Sequence, residues 1–169
     1  MSGIASASLT HPGMRREGNE DALCVRPDLG LYAVADGMGG HAAGEVASKI
    51  AVEVIEAFVN DTRDADVNRT WPFPYDTALT LNGNRLKAAI RLANRKLAGA
   101  MQADDSLRGM ATTAVVLLMA KGTPLVAHVG DSRLYLIRGG KLHSRGKLKV
   151  GYSRLQLHVL LMRPKMFPV

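Results

Sequence analysis

The stretch that decides the fold reads LYAVADGMGGH, from Leu31 to His41. It opens with a short apolar run, residues 31–35, which is typical of a buried β-strand. A single carboxylate, Asp36, follows, and three of the next four residues are glycines. An acid at the end of a buried strand is poorly solvated and needs a partner, most often a cation. Glycines beside it let backbone groups approach a ligand without interference from a Cβ atom.

Two other interpretations of this stretch are open at this point. In the first, Asp36 only caps a helix that begins near Ala42. In the second, residues 37–42 form a G-x-G-x-x-A dinucleotide fingerprint between a strand and a helix. Asp36 would then point a negative charge at the pyrophosphate, and the candidate ribose-binding acids, Glu53 and Glu56, fall inside a helix. A cation site with further ligands elsewhere in the chain explains the stretch better.

Length and composition predict a single domain with an ordinary core. The chain has 169 residues, of which 47% are hydrophobic and 22% charged, and no apolar run is long enough to span a membrane. The first residues lack the basic region and apolar core of a secretory signal. Cys24 is the single cysteine, so it forms no internal disulfide and suits a reducing compartment. We therefore expect a cytoplasmic protein with no membrane partner.

The net charge of +7 is concentrated in the last part of the chain. Residues 144–169 hold six basic side chains and no acid, whereas residues 1–143 hold 16 basic and 15 acidic side chains. The basic residues of the second helix predicted below are more typical of a solvated helix face than of a nucleic-acid surface. We therefore expect no nucleic-acid partner. Binding of RNA or of an anionic membrane by the basic residues 144–169 is a weaker alternative, since neither aromatic interleaving nor an amphipathic stripe supports it.

Hydrophobic periodicity predicts short strands at the start, then helices, then more strands. The helix predicted over residues 44–60 has apolar residues every four positions, and a loop with the aromatic sequence WPFPY at residues 71–75 follows it. A second helix is predicted over residues 84–103. The predicted strands cover residues 4–10, 22–25, 31–35, 114–120, 125–129 and 133–138.

Polar side chains gather at the predicted ends of these strands. Asp131 follows Gly130 after an apolar strand and so repeats the chemistry of Asp36. Glu20, Asp21, Asp36 and Asp131 offer hard oxygen ligands, which favour Mg²⁺ or Mn²⁺ over Zn²⁺. Arg16 has the planar fork that binds phosphate oxygens. The residues alone allow a metal-dependent phosphoester hydrolase, but a surface ion pair, a turn former and solvated acids remain open alternatives.

Four motifs occur in a fixed order between residues 16 and 133. They are Arg16-x-x-Asn-Glu-Asp21, Asp36-Gly-Met-Gly-Gly-His41-x-x-Gly-Glu45, Gly109-Met-x-Thr-Thr113 and Gly130-Asp-Ser-Arg133. Together they resemble the bacterial branch of the metal-dependent serine/threonine protein phosphatases, type 2C, over roughly residues 5–143. The resemblance implies an α+β fold, a two-sheet β-sandwich flanked by helices in α-β-β-α layers and incomplete at the C-terminus.

The same resemblance implies a binuclear Mn²⁺ or Mg²⁺ centre, with a third ion in some members. Asp36 would bridge two ions, and the Gly37 carbonyl would bind one of them. Glu20 or Asp21 would hold the second ion, directly or through water. Asp131 matches an aspartate that helps to bind the third.

Two further residues take catalytic roles by the resemblance. Arg16 would bind the phosphate of the substrate. Eukaryotic relatives carry a histidine, proposed as the general acid, at the position that Met38 occupies here. His41 is the candidate to take that role or to support the loop.

The chain departs from the family pattern after His143. The family's later Asp-Gly and Asp-Asn motifs, which complete the first metal site, have no counterpart in residues 144–169. We therefore expect a C-terminally truncated or frameshifted member. Residues 1–143 would be the N-terminal part of the catalytic domain and residues 144–169 an unrelated basic tail.

The predicted function is that of a metal-dependent protein serine/threonine phosphatase, impaired by the missing aspartates. The expected partners are phosphorylated serine/threonine proteins, including a cognate kinase, and the expected state is a monomer. The alternative is a non-catalytic phosphoprotein-binding fragment that keeps Arg16 and one metal ion.

Overall fold

The computed structural model describes residues 5–14, 18–40, 42–66, 70–138 and 141–144. Within these ranges the chain forms seven β-strands, two α-helices and one turn of 3₁₀-helix. In chain order they are β1 (Asp21–Arg26), β2 (Leu31–Met38), α1 (Ala43–Asp61), α2 (Leu81–Ala103), the 3₁₀ turn (Asp105–Leu107), β3 (Ala111–Thr112), β4 (Ala114–Ala120), β5 (Thr123–Val129), β6 (Tyr135–Arg138) and β7 (Lys141–Ser144).

Five of the strands form one antiparallel sheet in the order β1-β2-β4-β5, with the short β3 paired to the end of β2. Strand β2 is therefore central, as its apolar sequence predicts. The β4–β5 hairpin turns on Lys121 and Gly122, whose φ angles are 49° and 77°. A two-residue hairpin of this kind needs positive φ at both positions, and glycine adopts it without steric cost.

The side chains of β2 alternate between the two faces of this sheet. Leu31, Ala33 and Ala35 are buried on one face, which both helices cover. Each helix contributes an apolar stripe, formed by Ala51, Ile55 and Val59 on α1 and by Leu86, Ala89 and Ala93 on α2. The two predicted helices are confirmed, since period 3.6 places these residues on one side. Neither α1 nor α2, nor any other helix in the ranges described, is long and apolar enough to cross a membrane.

The opposite face of the sheet carries a smaller apolar cluster. Val115 and Leu117 of β4 pack there with Leu134, and Tyr32 lies against them. Leu134 directly precedes β6, which pairs with β7 in a separate two-stranded sheet. The predicted α+β class is therefore confirmed. The described residues form two β-sheets and one of the two helix layers of the predicted α-β-β-α arrangement, since both helices cover the same face of the larger sheet.

One strand predicted from the sequence is not formed. Residues 5–10 have no regular structure and are exposed, so the prediction for residues 4–10 is wrong in the part that the structure describes. Alternating alanine and serine bury little apolar area, and Leu9 remains 92% exposed.

The aromatic loop, residues 71–75, packs against α1. Trp71 lies edge-on to Phe58 of α1, with ring centroids 6.3 Å apart, and its centroid is 5.7 Å from that of Tyr75. These contacts hold the connection between α1 and α2 against the helix layer, away from the end of β2 where the candidate site lies.

Candidate metal centre

Two aspartates face each other near the end of the central strand pair. Asp36 of β2 is the direct register partner of Asp21 of β1. Residues opposite each other in an antiparallel pair project from the same face, with Cβ atoms about 5 Å apart. That face is the one away from the helices, because Asp36 follows the buried Ala35 by one residue. Two carboxylates this close repel each other, so their arrangement favours a shared cation.

Glu20 lies on the other side, against the start of α1. Its carboxylate is so close to Gly44 that a Cβ atom on that residue would overlap it. The residue before the helix, Ala42, provides no side-chain cap. A negative charge at a helix N-terminus is favourable, because the first N–H groups of the helix are unpaired within it. Glu20 therefore supports α1. Of the two candidates for the second ion, Asp21 is the one that shares a face with Asp36.

Gly37 lies where three backbone segments meet. Its N–H donates to the carbonyl oxygen of Glu20 at 2.9 Å. A Cβ atom at Gly37 would collide with the carbonyl group of Gly44 and come within 2.8 Å of the Glu20 carbonyl oxygen. Only glycine fits this close approach, which fixes β2, the residue before β1 and the first turn of α1 relative to one another.

Asp131 is connected to Asp36 through Thr113. The Asp36 N–H donates to Thr113 Oγ1 at 3.0 Å, and Thr113 Oγ1 lies 2.7 Å from Ser132 Oγ. Gly130 has a φ of +89°, and a Cβ atom there would lie 2.7 Å from Thr113 Cγ2. The turn that carries the exposed Asp131 is thus held against the end of β2.

Among the described residues, the donor set suits a hard divalent cation but is incomplete. Asp21 and Asp36 offer carboxylate oxygens from one face, beside backbone that glycine allows a ligand to approach. In the described part of the chain, however, no group of three or more His, Cys, Asp and Glu side chains is placed to hold a metal ion. The predicted phosphate ligand Arg16 and the loop residue His41 lie outside the described residues. Their roles, and the full ligand set, stay predictions.

Sequence reasoning missed two residues that organise this site. Thr113 was part of a recognised motif but had no role of its own, although a threonine directly before a buried strand was the available signal. Gly44 was also only a motif position. A Cβ atom there would meet the Glu20 side chain, which lies 24 residues earlier in the chain and which no local pattern indicates.

Comparison with known proteins gives a consistent set of matches. The profile described as protein phosphatase 2C matches residues 15–155. The serine/threonine protein phosphatase PstP of Mycobacterium tuberculosis is 35% identical over 136 residues, which are 80% of this chain and 23% of PstP. The protein phosphatase PhpP of Streptococcus pneumoniae is 35% identical over 140 residues, or 80% of this chain and 51% of PhpP.

Solved structures agree with these relatives. A crystal structure of M. tuberculosis PstP matches with a TM-score of 0.67 and 34% identity, covering 83% of this chain and 53% of that one. The catalytic domain of PstP in complex with two manganese ions matches with a TM-score of 0.65 and 35% identity, covering 82% and 53%. This chain thus spans about half of PhpP and of the solved PstP chains. Since the profile covers more than half of its residues, the chain belongs to the protein phosphatase 2C family.

Proposed function

We propose that this fold serves metal-dependent hydrolysis of phosphoserine and phosphothreonine in proteins. The observation that carries the proposal is the pair of facing carboxylates, Asp21 and Asp36, beside the close approach of Gly37 to Gly44. Carboxylate oxygens are the ligands that Mn²⁺ and Mg²⁺ prefer. The names of the relatives and the two manganese ions in the PstP complex support the same chemistry.

The proposed metal ligands fall into two groups, one for the two ions of the binuclear centre and one for a third ion. Bound divalent cations would lower the pKa of a coordinated water and offset charge on the phosphate. Asp36 is proposed to contact two ions, with Asp21 and the Gly37 carbonyl each contacting one. We place Asp21 ahead of Glu20, because Glu20 contacts the first turn of α1. Asp131 is proposed for a third ion.

Two residues are proposed to act on the substrate itself. Arg16 would bind the phosphate oxygens through its planar guanidinium. His41 would donate a proton or support the glycine-rich loop. Both assignments rest on the resemblance of residues 16–21 and 36–45 to the family motifs.

We further propose that this 169-residue chain is catalytically impaired. The described carboxylates do not form a three-donor group, and residues 144–169 contain no aspartate or glutamate to complete one. A missing ligand lowers metal occupancy and misplaces the nucleophilic water. A chain of this kind could retain phosphoprotein binding without turnover, which is the second candidate function.

The test is Mn²⁺ titration by calorimetry, together with hydrolysis of p-nitrophenyl phosphate. The wild type, Asp36→Asn and the control Asp105→Asn are compared, since the Asp105 side chain is 89% exposed in the 3₁₀ turn. We expect Mn²⁺ binding by the wild type and the control, at least tenfold weaker binding by Asp36→Asn, and turnover far below that of PhpP assayed in parallel. Equal affinity of all three proteins would remove Asp36 from the site. Turnover equal to that of PhpP would contradict the impairment.

The remaining assignments are proposals of the same kind. We propose phosphorylated serine/threonine proteins as partners, including a cognate kinase, and a monomer in the cytoplasm. Binding of a phosphothreonine peptide without hydrolysis, lost in Arg16→Met, would support the non-catalytic alternative over the enzymatic one.

A further inference from the structure

Thr113 makes two hydrogen bonds to the backbone of Asp36, one as a donor and one as an acceptor. Its peptide N–H donates to the Asp36 carbonyl oxygen at 2.9 Å. Its side-chain Oγ1 accepts from the Asp36 N–H at 3.0 Å. The two hydrogen bonds fix the peptide groups on either side of the Asp36 Cα atom, and therefore the direction in which its carboxylate leaves the strand.

The same side chain contacts the turn that carries Asp131. Thr113 Oγ1 lies 2.7 Å from Ser132 Oγ, close enough for a hydrogen bond in which either hydroxyl donates. A hydroxyl has one donor and two acceptor positions, so Thr113 can serve Asp36 and Ser132 at once. Its methyl group packs against Gly130, where a Cβ atom would lie only 2.7 Å from Cγ2.

We propose that Thr113 is a positioning residue that sets the placement of Asp36 relative to Asp131. It touches neither substrate nor metal in this proposal. It acts because one hydroxyl bridges the backbone of the first aspartate to the turn of the second. The consequence for metal affinity rests on the proposed function, in which both aspartates bind cations.

Thr113→Val tests the bridge, because valine keeps the β-branched shape and loses only the hydroxyl. Thr113→Ser keeps the hydroxyl and should therefore keep the Mn²⁺ affinity of the wild type. Thr112→Val is the matched control, since the Thr112 hydroxyl donates to the Thr113 carbonyl oxygen and not to Asp36 or Ser132. Partners of metal ligands commonly contribute tenfold or more to affinity, so we expect Mn²⁺ binding by Thr113→Val to weaken on the order of tenfold. Thr113→Ser and Thr112→Val should remain within about threefold of the wild type, well below that loss.

Ser132→Ala shows whether the two halves of the bridge act together. If Thr113 works through Ser132, the double variant Thr113→Val/Ser132→Ala should bind Mn²⁺ no more weakly than Thr113→Val alone. The effects of substitutions at two coupled residues are not additive. Losses that simply add, with Thr113→Ser as weak as Thr113→Val, would overturn the proposal.

A metal-free measurement separates this proposal from the proposed function. Amide hydrogen exchange of Asp36 should be faster in Thr113→Val than in Thr113→Ser or Thr112→Val, because valine removes the acceptor of that N–H. Absence of Mn²⁺ binding by the wild type would overturn the proposed function, and the exchange rates would then decide the positioning role alone. Equal exchange rates of the Asp36 amide in the wild type and the three variants would overturn the positioning role of Thr113.

Discussion

Asp21 and Asp36 lie directly opposite each other in the β1–β2 ladder, while Glu20, one residue earlier, directs its carboxylate to Gly44 at the start of α1. The two neighbouring acids of the Asn-Glu-Asp motif therefore have different surroundings. Asp21 shares a face with the central aspartate, and Glu20 contacts a helix N-terminus. This separation distinguishes two residues that the sequence could offer only as alternatives.

The first prediction follows from that separation. Asp21→Asn should weaken Mn²⁺ binding more than Glu20→Gln, because only Asp21 shares a face with Asp36. Glu20→Gln should instead lower the free energy of unfolding by about 0.3–1 kcal/mol in the absence of metal, since it removes a charge from a helix N-terminus. Calorimetric titration and urea unfolding measure the two effects. A larger loss of Mn²⁺ affinity in Glu20→Gln would reverse the assignment.

The second prediction concerns a glycine whose Cβ position is already occupied by backbone. Gly37→Ala should destabilise the fold by about 1–3 kcal/mol, because the new methyl group would overlap the carbonyl group of Gly44. Gly99 of α2 is the matched control, since a Cβ atom there meets nothing within 4 Å. Gly99→Ala should stabilise by about 0.5–1 kcal/mol through helix propensity. Urea unfolding of both variants decides the matter, and the prediction is wrong if both changes have the same sign.

The sequence predicted the elements of this fold well where periodicity was long and regular. The uninterrupted apolar run of β4 is buried over residues 114–118, as expected. In α1 the buried stripe is Ala47, Ala51, Ile55 and Val59, whereas Val46, Ile50, Val54 and Phe58, which also recur every four positions, are half-buried. The strand predicted over residues 4–10 failed because alternation alone does not supply apolar area or a partner strand. Local pattern thus determines an element only where burial reinforces it.

The sequence predicts the chemistry of the site, which stays a prediction, but not its geometry. The motifs indicated that Asp36 and Asp131 belong together, since each acid follows an apolar strand. The residue that joins them, Thr113, acts through a hydroxyl that lies 77 positions from Asp36 along the chain. Contacts of that range depend on strand order and register, which hydrophobic periodicity does not encode.

The third prediction concerns a buried cation at the C-terminal end of α1, where the last turn has no basic residue of its own. Arg85 of α2 is 8% exposed and donates to the Val59 carbonyl oxygen at 2.7 Å and to Thr62 Oγ1 at 3.1 Å. It therefore satisfies groups at the negative end of the helix dipole from a different helix.

Arg85→Met should lower the free energy of unfolding by about 2–4 kcal/mol, because it leaves a buried carbonyl group without its charged donor. Arg108 pairs with Asp105 at the surface, so Arg108→Met should cost less than about 0.5 kcal/mol. Thermal unfolding of the two variants measures the contrast. Equal Tm values would mean that water replaces the Arg85 donors.

The fourth prediction concerns the thiol of Cys24, which is 5% exposed on β1. Burial, and then the negative charge of Glu56 with Oε2 3.5 Å from Sγ, raises the pKa of Cys24 from 9.0 to about 12. Above pH 9 the unfolded chain ionises this thiol while the folded chain does not, so the contribution to stability is complete below pH 9 and is lost as the pH rises towards 12. The stability of the wild type relative to Cys24→Ala should therefore fall by up to about 1.4 kcal/mol per pH unit above pH 9. Urea unfolding at pH 8, 9.5 and 10.5 measures this difference, in which all other titrations cancel.

A stability difference that stays constant over that range would show that the folded thiol ionises as readily as the unfolded one. Rapid reaction of native Cys24 with a disulfide reagent at pH 8 would also contradict the raised pKa.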